Sequence, residues 1–202
     1  WKTNSGNLVR NFKGNDNNVW SINYSPDGEY IASGGDNGSI KIWRVNDGSL
    51  IQTLIGHNEE VRSVCFSPNG QYIASSGDDN TIKIWRVNDG SLVRAILGQT
   101  DIVSSVCFSP DGENIAAGGL DKIIKIWRVS DGSLVRSFLG HNDWVYSVCF
   151  SPDWEYIASG SCDKTVKIWT ITEKYIQEDI SNKVFSIVEP KAESADIDLG
   201  LC

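Results

Sequence analysis

The chain has 202 residues, of which 40% are hydrophobic and 22% charged, the ordinary balance of a globular chain with room for one core or a short array of repeated units. Its net charge is −8, and residues 170–202 carry seven acids against three lysines, so the average field repels a polyanion and argues against nucleic-acid binding. No run of about 18 apolar residues and no signal-peptide or lipidation motif is present, which argues against a membrane partner.

In chain order, Trp1 stands as the last core residue of a unit whose earlier part is absent, and Asn7–Phe12 reads as an outer strand. Tryptophans then follow at Trp43, Trp85, Trp127 and Trp169, a constant spacing of 42 from Trp1 onward. Around them the text repeats: Ser-Pro-Asp-Gly at 25–28 and 109–112, Ser-Pro-Asn-Gly at 67–70, Ser-Pro-Asp-Trp at 151–154, and Ile-Lys-Ile-Trp ending at Trp43, Trp85 and Trp127. A strict period of this length means one supersecondary unit used many times. The units fall at about 2–43, 44–85, 86–127 and 128–169.

Within the second unit, Val61–Phe66, Tyr72–Ser76, Thr81–Trp85 and Leu92–Leu97 are short apolar stretches separated by Pro-Asn-Gly, Asp-Asp-Asn and Asn-Asp-Gly. Glycine and asparagine tolerate the positive φ of hairpin turns, so these stretches are predicted as four antiparallel strands. No segment carries helical periodicity. The fold is therefore expected to be all-β, with four-stranded antiparallel units repeated around an axis as the blades of a β-propeller.

Beyond the fourth unit, Asn182–Ile187 echoes Asn17–Ile22, so a fifth unit begins at about 182 and the array is expected to run over 1–188. Pro190 and an acidic stretch interrupt it, leaving 189–202 as a separate segment, either disordered or one more strand through Ile197, Leu199 and Leu201. Five cysteines are present, three of them (Cys65, Cys107 and Cys149) at one repeat position. Equivalent positions in successive units are not designed bridge partners, so reduced, buried thiols in an intracellular, cytoplasmic protein are expected.

Gly56-His57 and Gly140-His141, followed 28 residues later by Trp85 and Trp169, resemble the Gly-His to Trp-Asp frame of WD40 repeats. The resemblance covers about residues 1–188. The chain departs from the family after each tryptophan, where Arg44, Arg86, Arg128 or Thr170 stands in place of Asp.

Unit two supplies His57, Ser75, Asp79 and Trp85, and unit four supplies His141, Ser159, Asp163 and Trp169. A Ser/His/Asp set invites a serine-hydrolase reading, with His57/Ser75 or His141/Ser159 as base and nucleophile. In WD40 repeats these positions instead resemble a hydrogen-bonded network tying the loop before the inner strand to the third strand, and a satisfied network of that kind stiffens its surroundings. The set also occurs twice, with no Gly-x-Ser-x-Gly elbow, so the structural role is favoured and no catalytic residue is expected. Unit one has Asn15 and Asn37 at the His and Asp positions, and unit three has Gln99 and Ala117 at the His and Ser positions while keeping Asp121. Units two and four are thus expected to be the stiffer blades. With two histidines in separate units, no P-loop, no dinucleotide fingerprint and no EF-hand glutamate after Asn15–Asn18, neither a metal nor a cofactor is expected.

Positions that differ between otherwise identical units are free to serve a partner. At the start of the inner strand a constant valine is flanked by Asn18 and Trp20, Glu60 and Arg62, Ile102 and Ser104, or Trp144 and Tyr146. In the second hairpin the variable residue is Asp36, Asp78, Leu120 or Cys162. The family resemblance puts these positions on the top face around the central channel, where partner peptides dock, giving Trp20, Arg62, Ile102, Leu120, Trp144 and Tyr146 as candidate contacts. Trp, Tyr and Arg are the residues enriched at binding hot spots. Trp154 replaces the glycine of its turn on the opposite face, and its role is left open between a second contact and drift.

The function implied is a protein-interaction scaffold binding partner proteins or peptides. A substrate-recognition subunit of a ubiquitin ligase is an alternative, weakened by Trp-Arg-Val where one such class has a Trp-Asp-x-Arg box. WD40 rings usually have seven blades, so three states are open: a piece of a longer chain, half of a ring completed by a second copy, or an unusually small closed ring. The absence of methionine favours the first. An open ring would expose blade faces and strand edges prone to self-association.

Overall fold

The computed structural model describes residues 6–13 and 17–171. The partial fifth unit and the acidic segment 189–202 lie outside the described residues, as do Trp1 and Asn15. The described chain is all-β. Blade 1 comprises β1 (Val19–Tyr24), β2 (Tyr30–Gly35), β3 (Ser39–Arg44) and β4 (Leu50–Ile55). Blade 2 comprises β5 (Val61–Phe66), β6 (Tyr72–Gly77), β7 (Thr81–Arg86) and β8 (Leu92–Leu97). Blade 3 comprises β9 (Val103–Phe108), β10 (Asn114–Gly119), β11 (Ile124–Arg128) and β12 (Leu134–Phe138). Blade 4 contributes β13 (Val145–Phe150), β14 (Tyr156–Ser161) and β15 (Val166–Thr170). Each sheet is an antiparallel meander paired in chain order, and consecutive blades pack along their inner strands β1, β5, β9 and β13.

The turns explain why these residues make hairpins. In the Ser-Pro-Asp-Gly turns the serine hydroxyl and aspartate carboxylate bond each other and the backbone beyond, as Ser25 does with Asp27 and the Tyr30 N–H. The fourth residue takes positive φ: 74° at Gly28, 69° at Gly70 and 75° at Gly112. Trp154 adopts the same conformation at 64°, which a side chain disfavours, and its ring packs 4.8 Å from that of Phe150. Local geometry therefore demands the left-handed residue, and the ring contact offsets part of its cost.

The core lies between blades rather than within them. Ala32, Ile40, Ile42 and Leu54 of blade 1 interdigitate with Val61, Val64, Phe66, Ile73 and Trp85 of blade 2. The next cluster joins Ala74, Ile82, Ile84 and Ile96 to Val103, Val106, Phe108, Ile115 and Trp127 in the same way. The third joins Ala116, Ile124 and Ile126 to Val145, Val148 and Ile157. Each fully buried Ile or Val contributes roughly 1.5–3 kcal/mol relative to exposure.

Polar rungs accompany this packing. The inner strand is the edge of its sheet, and side chains of the preceding blade satisfy its free N–H groups. Val64 N–H donates to Ser21 Oγ at 3.1 Å, Val106 N–H to Ser63 Oγ at 3.2 Å and Val148 N–H to Ser105 Oγ at 3.1 Å. One pleat further, Phe66 N–H donates to Asn23 Oδ1 at 2.8 Å. The repeated cysteines take the asparagine's place in later blades, with Cys65 bonded to the Phe108 backbone and Cys107 to that of Phe150. Burial pushes both thiols above their ordinary value.

Candidate functional site

Two constellations stand out, one inside the blades and one on the face where the inner strands begin. In blade 2, the loop after β4 carries His57 and the β6–β7 turn carries Asp79. Trp85 Nε1–H donates to Ser75 Oγ at 2.8 Å, Ser75 Oγ lies 2.7 Å from His57 Nε2, and His57 Nδ1 lies 2.9 Å from both Asp79 oxygens. Blade 4 repeats the chain: Trp169 Nε1–H to Ser159 at 2.8 Å, Ser159 to His141 Nε2 at 2.7 Å, and His141 Nδ1 to Asp163 at 2.7 Å. Ser75 is wholly buried and Ser159 2% exposed, with each hydroxyl held between the histidine and the tryptophan.

The electrostatics fit a fixed, neutral imidazole. Burial lowers the His57 pKa below its ordinary value, against the Asp79 contacts that raise it. Burial also opposes ionisation of Asp79, but hydrogen bonds from Lys83, Thr81 and His57 outweigh it and hold the carboxyl well below the usual range. Asp163 behaves alike, with bonds from Thr165 and His141 overcoming desolvation. Neutral His57 then donates from Nδ1 to the carboxylate and accepts at Nε2 from the serine hydroxyl, so each of these polar atoms has a partner.

The other two blades depart in instructive ways. In blade 1, Trp43 Nε1–H still donates to Ser33 at 2.9 Å, while Asn37 turns to the Ser39 N–H and hydroxyl. In blade 3, Lys125 Nζ bonds Asp121 at 2.9 Å, Gln99 Oε1 at 2.9 Å and the Gly98 carbonyl at 2.7 Å, so an ammonium ties the loop to the turn. Lys83 plays the corresponding part in blade 2, 2.8 Å from Asp79 and 2.5 Å from Thr81. Sequence reasoning passed over these lysines. Their signal was a lysine at the same third-strand place in every unit, between two isoleucines at Lys41, Lys83 and Lys125 and between Val166 and Ile168 at Lys167.

On the upper face a repeated backbone bridge brings the variable positions together. The N–H groups of Asp36, Asp78, Leu120 and Cys162 donate to the carbonyls of Asn18, Glu60, Ile102 and Trp144. Trp20 Nε1–H donates to Asp36 at 2.5 Å. Arg62 grips Asp78 with two bonds of 2.7 Å, contacts Glu60 at 2.9 Å, and lies 4.9 Å over the Trp20 ring. These residues form one ledge across blades 1 and 2. Ile102 and Leu120 are half-buried neighbours in blade 3, where the Ser104 hydroxyl is taken up by the Gly118 and Val145 carbonyls. In blade 4, Trp144 and Tyr146 meet edge to face at 6.3 Å, both exposed. Asp36 and Asp78 complete the ledge; as hairpin positions that vary between units they were visible in the sequence, but not as the anchors of Trp20 and Arg62. Among the described residues no group of three His, Cys, Asp or Glu side chains is placed to hold a metal.

Comparison with known proteins bears on the whole array. No curated protein sequence matches the chain. Among solved structures, the chain superposes on one titled "Structure of U3-55K" and on one titled "Crystal structure of RRP9 WD40 repeats". Each has a TM-score of 0.75 and 25% identity, covering 80% of this chain and 51% of the other. The chain thus spans about half the length of these neighbours. The family model described as "WD domain, G-beta repeat" matches residues 6–44, 48–86, 90–128 and 132–170, each match taking the outer strand of one blade with the three inner strands of the next. A repeat matched four times, on four blades built alike, makes this chain a member of the WD40 family.

Proposed function

We propose that this chain is a protein-interaction scaffold that docks a partner protein or peptide on the upper face, through the Trp20–Arg62 ledge and the Trp144–Tyr146 pair. The observation that carries the reading is the contrast within one repeat. Residues that build the blade are nearly invariant, whereas the bridged upper-face positions hold aromatic and Arg side chains, with Trp20 50%, Trp144 42% and Tyr146 53% exposed. Arg62 is already oriented by two carboxylates and an aromatic face, so little freedom is lost on binding. A catalytic role for His57/Ser75 or His141/Ser159 is disfavoured, because each serine sits in the blade interior between two fixed partners. The free thiols of Cys65 and Cys107, half-buried and each bonded to backbone, support an intracellular setting, although the expected burial does not extend to Cys149, which is exposed.

The test is a panel of peptides selected from a displayed library against the wild-type chain. Trp144→Ala/Tyr146→Ala and Trp20→Ala/Arg62→Ala should each lose binding at least tenfold without a change in melting temperature, since truncating a hot-spot residue costs about 2 kcal/mol or more. Peptides that bind all three proteins equally would refute the reading. A substrate-recognition role in a ubiquitin ligase is a narrower form of the same proposal and would be decided by the partner recovered.

A further inference from the structure

The sequence holds two Asn-Gly pairs, Asn37-Gly38 and Asn69-Gly70, and each asparagine stands where the other three units have aspartate. Asn37 corresponds to Asp79, Asp121 and Asp163, and Asn69 to Asp27, Asp111 and Asp153. Both asparagines are exposed, and both following glycines take positive φ, 69° in each case. An asparagine before glycine loses its amide without an enzyme where the backbone allows it, because a residue without a side chain leaves its nitrogen free to approach the neighbouring carboxamide.

The turn around Asn37 is built as it is around the aspartates. Asn37 Oδ1 accepts the Ser39 N–H at 3.1 Å and the Ser39 hydroxyl at 2.8 Å. Asp79 Oδ1 takes the same two donors from Thr81 at 3.2 and 2.6 Å, and Asp163 Oδ1 takes them from Thr165 at 3.0 and 2.6 Å. Lys41, only 8% exposed, stands at the third-strand place from which Lys83 and Lys125 reach Asp79 and Asp121. A carboxylate accepts such bonds about twice as strongly as a neutral oxygen, so the turn holds an amide where it would hold an acid better. The nucleophile is also the less restrained of the two. Gly38 N–H lies 3.4 Å from the Gly35 carbonyl, beyond an ordinary hydrogen bond, whereas Gly70 N–H is held by the Ser67 carbonyl at 2.9 Å.

We propose that Asn37 is a self-deamidation site, whose aspartate product gives blade 1 the turn carboxylate of the other three blades. The Gly38 nitrogen attacks Asn37 Cγ, forming a bond to it; the bond from Cγ to Nδ2 breaks, and the amide nitrogen leaves as ammonia with the Gly38 proton. Water then adds to Cγ of the resulting succinimide, breaks the bond to Gly38 and leaves a carboxylate, with no change of oxidation state. The Ser39 donors face the oxygen that becomes negative in both additions and so stabilise each. Opening at the main-chain carbonyl instead would insert a methylene into the backbone beside Gly38. There is no slack for it: a carbon added to Gly38 would lie 2.6 Å from the His57 carbonyl oxygen and 2.9 Å from that of Glu59. Aspartate is therefore the favoured product in the folded chain. Its charge falls beside Asp36, the residue that holds Trp20, and makes that part of the upper face more acidic.

The test is to incubate the folded chain for days in mildly alkaline heavy-oxygen water at physiological temperature. Peptide mapping by mass spectrometry, with fragmentation that separates aspartate from isoaspartate, then reads each asparagine. Asn37 should take up a solvent oxygen severalfold faster than Asn69, and faster still than Asn142, which is exposed but precedes Asp143. Its product should be mainly aspartate. Ser39→Ala should slow the conversion severalfold and Ser39→Thr should restore it, since threonine supplies the same two donors at Asp79 and Asp163. Asn37→Asp, which installs the product directly, should raise the midpoint of chemical denaturation. An Asn37 that stays an amide while Asn69 converts overturns the proposal, as does conversion confined to the chain unfolded in urea. Isoaspartate as the main product, or an Asn37→Asp chain that unfolds more readily than the parent, also overturns it.

Discussion

Blades 2 and 3 are flanked on both sides and share the same strands and core, yet they tie the same loop down by different chemistry. Blade 2 uses a buried histidine between Ser75 and Asp79, with Lys83 as a second partner of the carboxylate. Blade 3 has no histidine and no serine there, and Lys125 alone carries the connection from Asp121 to Gln99 and Gly98. The constant element is thus the carboxylate in the turn together with a cation from the third strand, and the imidazole is an addition to it. The substitute is imperfect: Gln99 Nε2 is buried with no hydrogen-bond partner among the described residues.

The comparison can be broken most sharply at the lysines. Lys125→Met leaves Asp121, whose side chain is only 4% exposed, without its cation, and should lower stability by about 3 kcal/mol in chemical denaturation. Lys83→Met should cost roughly half as much, because Asp79 keeps His57 and Thr81; equal losses would refute the division of labour. His57→Ala strands Ser75 and Asp79 and should cost about 2 kcal/mol, against less than about 1 kcal/mol for Gln99→Ala. Grafting the fuller network into blade 3 by Gln99→His with Ala117→Ser should raise stability by about 1 kcal/mol, read as a higher denaturation midpoint.

The smallest effect is the dependence on pH. The folded His57 value lies below the ordinary 6.5, so its neutral form is favoured in the blade. That contribution is complete above the unfolded value and is lost as pH falls through it toward the folded one. Melting temperature should therefore decline between about pH 7 and 5, and His57→Gln should flatten that decline. Asp79, depressed below 3.8, adds a further loss only in stronger acid.

Most of the fold is legible because the 42-residue period carries it. The strands of unit two read from apolar runs and turn residues are those observed, within one residue at their ends. The His, Ser, Asp and Trp of the blade network can also be picked out, because the resemblance to WD40 repeats implies a hydrogen-bonded network at those positions in units two and four. Lys83 and Lys125 are harder, because a lysine in a strand reads as a solvent-facing residue until both flanking isoleucines are known to be buried. The stacking of Arg62 on Trp20 is harder still. It depends on two blades placing unlike residues within reach, and no single repeat contains that information. Arg10 and Phe12 match their counterparts Arg94 and Phe138 in type, but that they close over blade 1 emerges only in three dimensions.

The serine rungs have a consequence for how such an array can evolve. Each links an N–H to a hydroxyl 43 residues earlier, one unit plus one residue. A duplication or deletion of one whole unit leaves every donor opposite its acceptor, and every apolar face opposite its complement. Copy number is therefore free to drift by unequal recombination without any compensating mutation, whereas an insertion of a few residues within a unit breaks two contacts at once.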